Sequence, residues 1–131
     1  MRWDAALAAL IRIVENDAEL LGLLGGPYIY RSREVREIRI PSVAYTIIAA
    51  TLTETTEPIL TQWDIFAASM DDVVGIERRL RRLLHWVGWR DIDGVMLSSV
   101  YEASRDHPPP GPGRWHRSLD FRHQPVRERG W

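Results

Sequence analysis

Near the N-terminus, apolar residues fall at Leu7, Leu10, Ile11 and Val14. This i, i+3, i+4, i+7 spacing predicts an amphipathic helix from Trp3 to Val14, with Asp4 placed to cap it. Asp17 is suited to cap a second, short apolar helix, which Gly25 and Gly26 would close. Tyr28-Ile29-Tyr30 follows as an aromatic mini-strand, and residues 31–39 alternate Arg and Glu in the manner of a solvated loop. After Pro41 the chain turns β-rich. Val43, Tyr45, Ile47 and Ala49 share one face and Ile48 and Leu52 the other, a pattern that suits a strand covered on both sides.

Residues 53–58 form a polar turn leading to a strand from Ile59 to Ala67. Ile59, Trp63, Ile65 and Ala67 are read as inward, and Gln62 and Asp64 as outward. Ser69-x-x-Asp72 resembles a capping box, and it opens a helix with the stripe Val73, Ile76, Leu80, Leu83, Leu84, Val87. Arg78, Arg81, Arg82 and His85 project from its other side. Gly88 and Gly94 bracket a turn, and strands follow at Val95–Ser104 and Trp115–His123. In the latter, Trp115, Leu119 and Phe121 share a face interrupted by Arg117 and His123. The stretch 106–114 between them is rich in Pro and Gly and reads as a stiff, extended loop outside the sheet. The expected architecture is α+β, an antiparallel or mixed sheet of about four main strands packed against two to three helices. Residues 1–124 form one domain in this reading, with 125–131 a loose tail.

Composition narrows the chemistry. A chain of 131 residues fits one domain. Cysteine is absent, which removes disulfides and thiolate metal sites. No apolar run reaches the roughly eighteen residues of a membrane span, and the N-terminus makes a poor signal peptide. A formal charge of −1 argues against general polyanion binding, although all 17 Lys-plus-Arg positions are Arg. Arg suits interface ion pairs, and a GC-rich genome explains the bias as well. The run Glu77–His85 has the basic density of a nucleic-acid helix. Acids cancel its charge, no aromatic stacking platform accompanies it, and Glu77 and Arg81 are spaced for an ordinary i, i+4 pair.

Three histidines, His107, His116 and His123, lie in the last third with Asp106 and Asp120. His116 and His123 are seven apart and so face opposite sides of a strand, and no metal or other cofactor is expected. No nucleophile elbow, P-loop or dinucleotide fingerprint occurs; Ser98 and Ser99 lack an implied base, so enzymatic activity is not expected. Of the six Trp residues, Trp63 and Trp86 fit the core. Trp89, Trp115 and Trp131 lie at element ends or in the tail, where Trp serves as an interface anchor and favours oligomerisation.

The order of helix, Asp-capped short helix, Gly-Gly, Tyr-x-Tyr, Pro-initiated strand, Trp-containing strand, amphipathic helix and two final strands resembles the tail-completion or tail-terminator proteins of long-tailed, siphovirus-like bacteriophages. The resemblance spans most of residues 3–124. It implies a small subunit that forms a ring, typically a hexamer, ending the tail tube and joining it to the head connector. It also implies a virion neck location after assembly in the host cytoplasm, tail tube and connector proteins as partners, DNA only in the lumen, and no membrane. No catalytic residues carry over. The Pro/Gly-rich stretch 108–113 and the Arg-rich tail depart from the family pattern. On this reading Arg78 and Arg82 meet acids such as Glu54 and Glu57 of a neighbouring subunit, with Arg114, Trp115 and Trp131 also at the interface. A head-closure or adaptor protein is the alternative within phage biology. A monomeric nucleic-acid-binding accessory protein is the alternative outside it.

Overall fold

The computed structural model describes residues 2–32, 38–49 and 58–125. Three helices and six strands follow one another as α1 (Arg2–Glu15), α2 (Ala18–Leu24), β1 (Ile29–Arg31), β2 (Ser42–Ala49), β3 (Ile59–Ala67), α3 (Met70–Leu84), β4 (Arg90–Ile92), β5 (Val95–Gly111) and β6 (Arg114–Pro125). The strands make one sheet in the order β1-β2-β3-β6-β5-β4. Only β1 and β2 run parallel; every other pairing is antiparallel. The mixed α+β class matches expectation, and the sheet is wider than the four main strands expected. The mini-strand at Ile29 joins its edge, and a short β4 pairs with the start of β5 where only a turn was expected. Asp93 (φ 52) and Gly94 (φ 83) make that β4–β5 connection. Two successive positive-φ residues match the right-handed twist of a hairpin, which favours Asp-Gly there.

The caps follow the sequence in two helices of three. The Asp17 side chain accepts from the Leu20 N–H, and Gly25 closes α2 in the left-handed region (φ 75). Ser69 accepts from the Asp72 N–H at 3.1 Å and opens α3. Helix α1 begins at Arg2, so the backbone places position 4 inside its first turn rather than at the expected N-cap. Leu7, Leu10, Ile11 and Val14 of α1 and Val73, Ile76, Leu80 and Leu84 of α3 pack with Ile59, Trp63, Ile65, Leu119 and Phe121 of the sheet in one buried cluster. Val87 does not continue the α3 stripe: it is 98% exposed. The helix stops at Leu84, His85 turns extended (φ −128, ψ 120), and Trp86 takes the inward place.

Alternation along the strands gives the sheet a helix-covered face and an open face. Register puts Trp63 beside Leu119 and Ile65 beside Arg117 on the covered face, and Asp64 beside Ser118 on the open one. Ile48, at the bulge between Ile47 and Ala49, is exposed, whereas Ser42 and Ala44, on the face turned from the helices, are buried. Asp64 faces away from the core as expected, yet it is only 8% exposed, because side chains of β6 close over it.

The proline-rich stretch departs most from expectation. It continues β5 to Gly111 and turns through Pro112 and Gly113 into β6. His107 pairs with His116 and Gly111 with Arg114, so Pro108, Pro109 and Pro110 bulge opposite Trp115 alone. Proline is tolerated here because a bulge on an outer strand needs no ladder N–H. Beyond Leu97 no strand among the described residues pairs with the outer side of β5.

Candidate functional site

Helix α3 carries its basic residues outward from the sheet, and a groove separates them from the β5–β6 hairpin. Val74, Glu77, Arg78, Arg81, Arg82, His85 and Arg117 line it. Arg117 projects from the covered face of β6 because it pairs with Ile65 in register. Its guanidinium binds Glu77 at 2.7 Å and Asp106 at 2.6 Å. These two carboxylates hold its pKa above the ordinary arginine value, and Arg117 in turn holds the Asp106 carboxyl below the usual range. Helix and hairpin are thereby tied across the groove floor. Arg81 lies over the Tyr101 ring at 4.0 Å and reaches Glu77 at 3.4 Å, the i, i+4 partner expected from spacing.

Arg78 and Arg82 differ from their neighbours: both are exposed, and neither has an ion-pair partner among the described residues. Arg79, between them, turns back to Asp17 at 2.7 Å and Glu19 at 2.7 Å, joining α3 to α2. The hydrogen bond from Arg79 holds the Asp17 carboxyl below its usual range against the opposing effect of burial. Trp115, at the start of β6, leaves 38% of its surface exposed, and Arg114 before it is exposed. Trp89 and Val87 are exposed beside β4. The structure therefore brings Arg78 and Arg82 together on one helix face and places Arg114 and Trp115 at the hairpin end. Glu54, Glu57 and Trp131 lie outside the described residues.

The open face holds a second cluster, which sequence reasoning missed. Asp64 Oδ1 accepts hydrogen bonds from His116 at 2.8 Å and from Ser118 Oγ at 2.5 Å. Gln62 Nε2 adds bonds to both carboxylate oxygens. His107 Nε2 lies 2.6 Å from Ser118 Oγ, and its ring stacks on that of His116 at 4.1 Å; His116 in turn stacks on Phe66. Burial pushes the Asp64 carboxyl up, but the bonds from His116, Ser118 and Gln62 together outweigh it, and the group stays below its usual range. The nitrogen of each histidine and an oxygen of Asp64 all lie within 4.8 Å of one another. The missing signal was register: Asp64 sits 52 positions before His116, and only the β3–β6 pairing makes them neighbours.

His123 stays apart from this cluster, on the covered face, as the seven-residue spacing from His116 requires. Its Nε2 meets Thr61 Oγ1 at 2.6 Å and its Nδ1 meets Ser99 Oγ at 2.8 Å. Ser99 gives its own proton to the Leu84 carbonyl, so the Nδ1–H donates to Ser99. Thr61 then donates to Nε2 while accepting from the Trp63 indole at 3.0 Å. Each group in this chain is satisfied with the imidazole neutral, and burial pushes its pKa down to about 3.

Among the described residues, no helix is long and apolar enough to cross a membrane. No protein-family model and no curated protein matches the chain. Among solved structures, a chain of the virion of a native gene transfer agent particle shares its fold, with a TM-score of 0.66 and 14% sequence identity. The match covers 90% of this chain and 92% of that chain. At so low an identity the likeness establishes the fold, which is thus one used by a component of a phage-like virion.

Proposed function

We propose that this chain is a structural protein of a phage-like virion, working by contact with copies of itself and with its neighbours in the particle rather than by catalysis. The observation that carries the reading is the shared fold, which extends over 90% of this chain and 92% of the gene transfer agent chain. Within the virion, the tail-terminator role is the specific proposal, with a ring of subunits, typically six, closing the tail tube beneath the head connector. DNA passes through the lumen and is not read.

The surface supports such packing. A closed ring uses heterologous contacts, one patch meeting a different patch on the next subunit. Arg78 and Arg82 offer two guanidinium groups on one helix face, without ion-pair partners among the described residues and suited to bidentate pairing with carboxylates of a neighbour. Glu54 and Glu57 are the acids proposed to receive them. Trp115 supplies an exposed aromatic anchor at the hairpin end. Negative-stain electron microscopy of the purified protein, alone and with tail tubes, tests the proposal. Rings that seat on tube ends are the expected result. Rings that seat only on the connector assign an adaptor or head-closure role, and a monomer in both conditions overturns the reading.

A further inference from the structure

We infer that Asp64, His107 and His116 form a divalent transition-metal site of the zinc type on the open face of the sheet. Three adjacent strands contribute one ligand each: β3 the carboxylate, β6 and β5 the two imidazoles. Two histidines and one carboxylate are a ligand set that zinc accepts, at about 2.0–2.2 Å per bond. A tetrahedral ion would hold the ligand atoms about 3.4 Å apart on those bond lengths. The atoms here already lie within 4.8 Å, and His116 Nε2 is 2.8 Å from Asp64 Oδ1. Small rotations of two half-exposed side chains, His107 and His116, therefore complete the geometry and leave a fourth position for water or for Ser118 Oγ.

The surroundings fit a cation. Asp64 is a buried carboxylate with no guanidinium bonded to it among the described residues; Arg105 is engaged by Asp120 and Gln62. Gln62 donates to both Asp64 oxygens and so fixes the carboxylate plane, as outer groups do around metal ligands. Phe66 packs on one face of His116 and limits its rotation. The site lies next to the proline bulge, so an ion bound there would clamp the far end of the β5–β6 hairpin onto β3.

Titration of tag-free, EDTA-treated full-length protein with Co2+, followed by Zn2+ competition, tests the assignment. One Co2+ per chain is expected, with a visible d–d absorption band that Zn2+ abolishes, and a rise in Tm on adding Zn2+. His107→Gln and His116→Gln should each lose the band and the Tm rise while keeping the far-ultraviolet circular dichroism of the parent. His85→Gln, outside the cluster, should keep both. Absence of a stoichiometric band in the parent overturns the site, and so does a band that survives in His107→Gln. Because His107 is partly exposed, its variant decides the matter even where Asp64→Asn fails to fold.

Discussion

His123 shows how a single titratable group can set a pH limit on the fold. In the folded protein burial keeps it unprotonated down to about pH 3, with both its ring nitrogens hydrogen-bonded. The unfolded chain protonates it near the ordinary imidazole value of 6.5, so unfolding takes up a proton between these limits. Stability is therefore whole above about pH 6.5 and falls as the pH drops below it, by up to about 1.4 kcal/mol per unit. The lowered carboxyls of Asp17, Asp64 and Asp106 act only lower, as the pH falls through their unfolded value of 3.8. Denaturant melts of the parent and His123→Gln at pH 7 and 5 check this. The parent should lose more stability over that interval than the variant. The sequence reading took His123 correctly for a polar interruption of an inward face. It gave no hint of Thr61 or Ser99 as partners, since these are 62 and 24 positions away and meet it only through strand register.

At the scale of elements, the tie between α2 and α3 repeats this lesson. Asp17 does two things at once: it caps α2, which local sequence predicts, and it receives Arg79, which local sequence does not. Asp17→Ala removes both and should cost about 1–2 kcal/mol in a urea melt. Asp17→Asn keeps a cap acceptor and loses the charge, so it should fall between parent and Ala variant. A variant Asn indistinguishable from Ala would mean that the cap contributes little. Helices with long apolar stripes were legible because their periodicity is local; Val87 was misplaced because a stripe does not say where the helix stops. A three-residue strand such as β4 carries too few positions to show alternation. Pro108–Pro110 are incompatible with a central strand; as a bulge in the β5–β6 ladder, on a strand with no further neighbour there among the described residues, they are accommodated.

For the whole molecule, the proposed ring rests on surface groups that have no ion-pair partner among the described residues. The double variant Arg78→Glu, Arg82→Glu should keep the parent's unfolding free energy within about 0.5 kcal/mol, since substitutions at exposed surface positions contribute little to folding. It should also shift the light-scattering mass towards the single subunit. A double variant with unchanged assembly mass would show that this helix face is not at the contact. Sequence could locate these arginines on a helix face; which of the four neighbouring arginines were already spent inside the subunit became clear only from Asp17, Glu77 and Tyr101 around them.

The margins of the sheet bear on this as well. Its two outermost strands, β1 and β4, have three residues each, and the unpaired outer side of β5 runs into three consecutive prolines with no hydrogen to offer. A backbone rim left bare and regular would let one copy stitch onto the next without any natural stopping number, giving fibrils. The prolines cut short the bare side that β5 keeps from Ser98 to His107, so the fold steers encounters between copies towards side chains, whose fixed angles allow a small set to close and then cease growing.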